Sequence, residues 1–223
     1  MRIRQKKWLL AALAFVVLTG IVPSQTPDNI TIFTNYWKSR ADLFRKLPGR
    51  QGEIVFLGDS ITDGCEWGEL TGNPKCINRG ISGDTSWGLR VRLTEVTERK
   101  PAKLFLMIGT NDLARGKPVT EVRDKIVEVL DSIRRQTPAT IVCLQSVLPT
   151  IESLAPLYIN DRINSLNTEL KALAAARGIV WIDLAASFKD GSGKLKTELT
   201  DDGLHLNGQG YVLWHSLIRK ELP

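Results

Sequence analysis

Short apolar runs alternate with longer amphipathic segments along most of the chain. The apolar runs read EIVFLG, CINRG, AKLFLMIG, TIVCLQSV and GIVWIDL, and they begin at residues 53, 76, 102, 140 and 178. Most of them are rich in Ile, Val, Leu and Phe and do not alternate with polar residues. This pattern is typical of strands that are buried on both faces of a parallel sheet.

The segments between these runs predict helices, because their apolar residues recur with a helical period. These segments span residues 84–100, 118–136, 160–177 and 207–222. Strands that alternate with helices predict a three-layer α/β/α sandwich around a mainly parallel five-stranded sheet. The sequence contains no internal repeat, and we expect one domain over residues 25–223.

Aromatic residues predict a further helix ahead of the first strand. Phe33, Tyr36, Trp37 and Phe44 are spaced roughly one or two turns apart, and the Pro-Gly pair at 48–49 ends the pattern. We expect these aromatic side chains to pack on the body of the domain rather than to bind a ligand.

Residues 1–24 are typical of a secretory signal peptide. Basic residues precede an apolar run from Trp8 to Val22, and this run is shorter than the about 20 residues that span a bilayer. We therefore expect export to the periplasm or the exterior. The alternative is an uncleaved N-terminal anchor, which would be the only contact with a membrane.

The charge of the chain depends largely on this leader. Four of its basic residues lie within positions 2–7, and without them the net charge of +6 falls to +2. The basic balance therefore gives no support to nucleic-acid binding. The chain shows no His/Cys ligand cluster, and neither a metal nor an organic cofactor is predicted.

The three cysteines allow two interpretations. In an oxidising compartment Cys65 and Cys76 could pair, or both could remain free thiols. Cys143 lies in an apolar run and is expected to be a small buried hydrophobe.

Polar, glycine-bearing loops follow the first three predicted strands. They are GDSITDG from residue 58, RGISGDT from residue 79 and GTNDL from residue 109. Because ligands of parallel sheets bind at the carboxyl ends of the strands, these loops are expected to meet at one rim. Ser60 would then lie where chemistry takes place.

The segment TDDGLHLNGQGY, from residue 200, supplies a candidate base for that serine. Asp202 and His205 are three residues apart, so the carboxylate can fold back onto the imidazole and hold one ring nitrogen protonated. The other histidine of the chain, His215, lies within the last predicted helix and is expected to have a packing or surface role.

Four motifs in order give the chain a family resemblance. GDS at 58–60, the glycine of ISGDTS, GTND at 109–112 and DGLH at 202–205 resemble the SGNH (GDSL-type) hydrolases, over roughly residues 50–220. The chain is similar to the branch that includes platelet-activating-factor acetylhydrolase subunits and bacterial lysophospholipase-esterases. The resemblance implies a flavodoxin-like SGNH fold. The chain has no G-x-S-x-G nucleophile elbow, which argues against the ordinary α/β-hydrolase fold.

The resemblance also implies roles for individual residues. Ser60 is expected to be the nucleophile, His205 its base and Asp202 the acid that orients the base. The oxyanion hole is expected to combine the backbone N–H groups of Ser60 and Gly83 with the side-chain amide of Asn111. The resemblance implies no cofactor. A relative that keeps the fold for binding alone is the non-enzymatic alternative.

Further acidic residues beside these motifs are expected to tie the loops together rather than to do chemistry. They are Asp59, Asp63, Asp84 and Asp112.

The sequence indicates the substrate less clearly than it indicates the reaction. The leading hypothesis is an esterase that removes small acyl groups, acetyl above all, from carbohydrate. The alternatives are a lysophospholipase, arylesterase or thioesterase for longer acyl chains, and a non-catalytic glycan-binding protein. Trp67 and Trp87 could form an aromatic wall for a sugar ring, or could simply pack. The apolar stretch from Leu148 to Leu157 is expected to form one pocket wall. The sequence indicates no oligomeric state.

Overall fold

The computed structural model describes residues 33–223. The interpretation of residues 1–24 as a signal peptide or anchor, and the predicted start of the domain at residue 25, lie outside the described residues. Within residues 33–223, no helix is both long and apolar enough to cross a membrane.

Five parallel strands form a single sheet in the described part of the chain. They are β1 (Ile54–Gly58), β2 (Cys76–Gly80), β3 (Lys103–Met107), β4 (Ile141–Gln145) and β5 (Val180–Ile182). Their order across the sheet is β2-β1-β3-β4-β5, which is the flavodoxin-like order. The five predicted strands and their parallel arrangement are confirmed.

Helices connect the strands and cover the sheet. They are α1 (Asn35–Lys46), α2 (Ser60–Asp63), α3 (Trp67–Leu70), α4 (Ser86–Arg92), α5 (Thr94–Thr97), α6 (Thr110–Ala114), α7 (Val119–Gln136), α8 (Asn160–Arg177), α9 (Leu184–Phe188) and α10 (Gly208–Ile218). Two 3₁₀ turns lie at Thr197–Leu199 and Arg219–Glu221. The helix predicted within residues 84–100 is divided into α4 and α5. The shortest helices, such as α2 and α6, have too few residues to show a period in the sequence.

Alternate side chains of each strand enter two separate cores, which confirms the three-layer sandwich. In β1, Ile54 and Phe56 belong to the core that includes Trp214 of α10. Val55 and Leu57 belong to the opposite core, which the apolar faces of α4, α7 and α8 complete. Because both faces of the sheet are covered, its strands are apolar throughout instead of alternating.

The cysteines are reduced in this structure. Cys65, Cys76 and Cys143 are all buried and unpaired. Of the two sequence interpretations, the structure therefore shows the free thiols, and Cys143 has the buried position that its apolar neighbours predict.

Helix α1 packs beside the loop that follows β2. Thr34 caps the helix by accepting a hydrogen bond from the N–H of Trp37. Trp37, Ala41 and Phe44 are buried against Ile81 in a small third core. The aromatic residues of this helix thus pack on the domain as predicted, with the exception of Tyr36, which remains exposed.

A buried arginine joins this region to the sheet. Arg92 Nε lies 2.7 Å from Asp84 Oδ2, and its Nη1 lies 3.2 Å from Glu95. Its Nη2 donates to the carbonyls of Gly58, at 3.1 Å, and Arg79, at 2.8 Å, which lie at the ends of β1 and β2. The guanidinium therefore fixes the two strand ends and the loop after β2 relative to one another.

We predict that Arg92→Met lowers the free energy of unfolding by about 3–5 kcal/mol, because it leaves Asp84 buried without its cationic partner and removes one of the two arginines that pair with Glu95. Urea denaturation measures the change. Arg90→Met is the matched control, since Arg90 lies on the same helix but is about half exposed, and it should change stability by under about 0.5 kcal/mol. Equal effects of the two variants would contradict the assignment.

Candidate active site

The three polar loops meet where the strand order reverses. The sheet runs outward from β1 to β2 on one side and from β1 to β3 on the other. Ser60 follows β1, Gly83 follows β2 and Asn111 follows β3. A crevice at such a reversal is the usual binding site of an open parallel sheet.

Ser60, His205 and Asp202 form a continuous chain of hydrogen bonds. His205 Nε2 lies 2.9 Å from Ser60 Oγ, and His205 Nδ1 lies 2.7 Å from Asp202 Oδ2. The serine and the histidine are 145 positions apart in the sequence, so only the fold brings them together. The carboxylate sets the tautomer of the ring, leaving Nε2 free to accept a proton from the serine.

The tight turn at residues 200–206 builds the Asp–His pair. Gly203 has φ of +81°, a conformation that glycine adopts without strain. Its N–H donates to Thr200 Oγ1 at 2.9 Å. Asn207 then caps α10 by accepting from two backbone N–H groups. This turn points the His205 ring toward Ser60 and the Asp202 carboxylate toward that ring.

Hydrogen bonds stabilise the ionised form of the Asp202 carboxyl group. Partial burial alone would raise the pKa of this carboxyl group, but hydrogen bonds from the His205 ring and from the backbone N–H groups of Leu204 and His205 lower it to about 2. Asp202 therefore keeps its negative charge across the physiological pH range and holds the adjacent imidazole.

A close approach of backbones positions Ser60. It is the first residue of α2, and the side chain of Asp59 caps this helix by accepting from the N–H of Ile61. A Cβ on Gly58 would lie 2.2 Å from Thr62 Oγ1 and 2.4 Å from the carbonyl oxygen of Met107. Only glycine allows the chain to turn this tightly from strand into helix.

Gly83 lies on the loop after β2, and Asn111 lies in the first turn of α6, after β3. Gly83 has φ of +78°. The Asn111 Nδ2 group donates to the carbonyl of Asp84 at 2.9 Å, and Tyr158 donates to Asn111 Oδ1 at 3.4 Å. Because an amide nitrogen carries two hydrogens, the bond to Asp84 leaves the second one for an anionic ligand.

An open groove of about 840 Å³ leads to Ser60. Its walls are formed by Thr34, Tyr36, Ser60, Asp63, Gly64, Ser82, Gly83, His205, Leu206 and Tyr211. Sequence analysis did not identify Thr34, Tyr36 or Tyr211 as lining residues. A candidate metal cluster of three or more His, Cys, Asp or Glu residues does not occur within residues 33–223.

Comparison with known proteins is consistent with this geometry. The sequence profile of the GDSL-like Lipase/Acylhydrolase family matches residues 56–213. The chain belongs to this family. It is an ester hydrolase of the GDSL (SGNH) type, and the resemblance stated above is confirmed.

Three relatives illustrate the match. A structure from Streptococcus pneumonia, provisionally assigned as a platelet activating factor, is 30% identical, with a TM-score of 0.77 over 84% of this chain and 93% of that one. A GDSL-like lipase from Bacteroides thetaiotaomicron is 27% identical, with a TM-score of 0.73 over 83% of this chain and 96% of that one. Esterase TesA from Pseudomonas aeruginosa is 26% identical over 161 residues, 71% of this chain and 72% of the relative.

Of the two roles considered for Trp67, a substrate wall or packing, the structure shows packing. Its indole is only 1% exposed and stacks on Phe56 with the ring centroids 3.8 Å apart. Trp87 lies outside the described lining of the groove, with the amines of Lys117 and Lys125 at 5.3 and 5.0 Å from its ring. Trp67 therefore belongs to the core, and Trp87 does not line the described groove.

The segment from Leu148 to Leu157 lies beside the Asp–His turn rather than in the described groove wall. The N–H of Ile151 donates to the carbonyl of Gly203 at 2.8 Å. Leu148 is buried, whereas Leu154 and Leu157 are exposed. The segment therefore supports the turn, and of its leucines only Leu154 and Leu157 are exposed to solvent.

Two buried carboxyl groups, those of Asp112 and Asp59, hold the segments that follow the strands at the site. Asp112 accepts hydrogen bonds from the backbone N–H and the hydroxyl of Ser86. Burial raises the pKa of Asp112 to about 6, against the effect of those bonds. Burial also raises the pKa of Asp59 to about 7, and the charges of Asp84 and Asp112 add to the effect. Asp59 thus keeps its proton to a pH well above the range in which an aspartic acid side chain ordinarily titrates.

We predict that Asp59→Asn flattens the pH dependence of stability. The folded state holds the Asp59 proton to about pH 7, whereas the unfolded chain releases it near the ordinary value of 3.8. The stabilisation is therefore complete below about pH 4 and is lost as the pH rises toward 7. An asparagine side chain does not titrate, so in this variant the part of the stability loss that comes from residue 59 disappears.

Urea denaturation of both proteins at about pH 4.5 and pH 8 measures the difference. Asp124→Asn, an exposed carboxyl group, is the control and should follow the unmodified protein. A slope for Asp59→Asn that matches the control would refute the assignment.

Proposed function

We propose that this protein is a serine esterase that hydrolyses small acyl esters, acetyl esters above all, on carbohydrate. The observation that carries the proposal is the chain of hydrogen bonds from Asp202 through His205 to Ser60. We also propose that the enzyme acts outside the cytoplasm, directed there by residues 1–24.

The first half of the reaction acylates the enzyme. Ser60 Oγ attacks the ester carbonyl carbon while His205 Nε2 accepts the hydroxyl proton. The ionised Asp202 stabilises the imidazolium that forms. As the tetrahedral intermediate collapses, the imidazolium returns the proton to the departing alcohol oxygen.

The second half releases the acid. Water enters the open groove, and His205 removes one of its protons as the water oxygen attacks the acyl-serine carbonyl. The collapse of this intermediate restores the Ser60 hydroxyl with the proton from His205, and the carboxylic acid leaves.

The negative charge on the carbonyl oxygen is stabilised by three donors in both halves. They are the N–H groups of Ser60 and Gly83 and the free hydrogen of the Asn111 amide. Each such donor is worth about 10²–10³ in rate. Because Asn111 is anchored to Asp84 before substrate arrives, no reorganisation is needed at the moment of reaction.

The groove supports a polar alcohol. Its wall combines the hydroxyls of Thr34 and Ser82 with a carboxylate from Asp63 and the phenols of Tyr36 and Tyr211. A few polar groups set among aromatic rings is the composition that small polar ligands require.

A second candidate, hydrolysis of long-chain acyl esters, has its own supporting observation. Leu154, Leu157 and Ile159 expose 60%, 67% and 43% of their surface on the segment beside the Asp–His turn. Exposed apolar side chains so close to the site provide a surface on which an acyl chain can lie.

We predict that Ser60→Ala removes at least about 10³-fold of the ester hydrolysis activity and all labelling by a fluorophosphonate, because the covalent intermediate cannot form. Ser165→Ala, on the exposed face of α8, is the control and should retain both. Circular dichroism confirms that each variant is folded. Labelling that persists in Ser60→Ala would place the nucleophile elsewhere.

The acyl-chain preference separates the two candidates. We predict that kcat/KM on p-nitrophenyl esters falls at least about tenfold from acetate to octanoate, because a polar groove gains little from a longer chain. The measurement is repeated on Leu154→Ser/Leu157→Ser. A preference for octanoate that this double variant abolishes would establish the long-chain candidate instead.

A further inference from the structure

Tyr36 is held rigidly at the mouth of the groove although its ring is exposed. The side chain is 48% exposed, yet its hydroxyl donates to Asp63 Oδ2 at 2.6 Å. The next residue, Trp37, is buried and donates through Nε1 to Asp84 Oδ1 at 2.9 Å. The core therefore determines where the Tyr36 ring stands before any ligand arrives.

Asp63 links this ring to the reacting serine. It lies three residues after Ser60, one turn along α2. Its Oδ2 accepts from Tyr36 and from the N–H of Ser82 at 3.1 Å, and its Oδ1 accepts from Arg40 at 3.2 Å. Since a carboxylate oxygen can accept about two hydrogen bonds, Oδ1 retains room for one more donor.

The hydrogen-bonding character of this wall selects a hydroxyl-bearing ligand. The Tyr36 hydroxyl donates its only hydrogen to Asp63, so its phenol oxygen can act toward a ligand in the groove only as an acceptor. Asp63 also has only acceptor capacity to offer. A polyol, by contrast, donates hydroxyl hydrogens to both residues while the apolar face of its ring packs on the Tyr36 ring.

The imidazole that protonates the departing alcohol opens onto the groove. His205 lines it together with Ser60 and Gly83. The departing alcohol takes its proton from the imidazole, so the alcohol must lie on the imidazole side of Ser60.

We infer that Tyr36 and Asp63 form the subsite for the alcohol part of the ester, and that this part is a sugar or another ring-shaped polyol. The inference rests on the proposed esterase function. It gives α1, a helix outside the four sequence motifs, a direct role in substrate choice.

Steady-state kinetics with two esters test the subsite. One substrate is an acetylated xylo-oligosaccharide, and the other is ethyl acetate, which has neither ring nor hydroxyl. For Tyr36→Ala we expect the ratio of kcat/KM for the sugar ester to that for ethyl acetate to fall about tenfold, mainly through KM. Tyr36→Phe keeps the ring and should recover part of the ratio.

Leu43→Ala is the matched control, because Leu43 lies on the same helix and is 43% exposed. It should keep the ratio of the unmodified enzyme. A ratio that Tyr36→Ala leaves unchanged would overturn the subsite while leaving the esterase proposal intact. An unmodified enzyme that hydrolyses ethyl acetate but not the sugar ester would overturn both the subsite and the choice of carbohydrate, and would leave only the esterase chemistry. Failure of the unmodified enzyme on both esters, without fluorophosphonate labelling, would overturn the esterase proposal itself.

Discussion

The arrangement of the site depends on one buried ion pair, between Arg92 and Asp84, whose side chains are fully shielded from solvent. Burying two charges is costly unless each is also hydrogen-bonded. Here Arg92 additionally donates to backbone carbonyls at the ends of β1 and β2, and Asp84 accepts from Trp37 and the N–H of Thr85. The polar groups that offset this cost are the same groups that align the loops around Ser60.

From this pair, contacts extend to the reacting groups in two directions. The carbonyl of Asp84 orients the Asn111 amide, which places a hydrogen-bond donor in the proposed oxyanion hole. Trp37 carries α1, and with it Tyr36, to the mouth of the groove. His205 and Asp202 reach Ser60 on a separate turn that depends on Gly203 and its neighbours. Preorganisation of this kind lets donors stabilise developing charge without moving during the reaction.

Much of the site could be predicted from the sequence because its chemistry is local. The strand–loop positions of Ser60, Gly83 and Asn111, and the spacing of Asp202 and His205, are features of short segments. The structure joins Ser60, His205 and Asp202 by hydrogen bonds, places Gly83 in the same groove wall as Ser60, and places Asn111 just after the neighbouring strand β3. The directions of two aromatic side chains could not be predicted: Trp67, for which a substrate wall and a packing role were both open, is buried in the core, and Tyr36, which was expected to pack, lines the groove. Both are aromatic residues in short amphipathic segments, and the direction each one faces depends on residues distant in the sequence.

The sequence by itself determined the parallel strands, the main helices and the order of the polar loops, because buried strands, amphipathic helices and turn glycines each have a short-range signature. Tertiary structure alone decided which aromatic rings meet the substrate groove, which carboxyl groups are buried and hold protons, and how α1 reaches the site. Those outcomes depend on the rotation of each helix about its axis and on the solvation of each charge. Both are set by the packing of residues that are far apart along the chain.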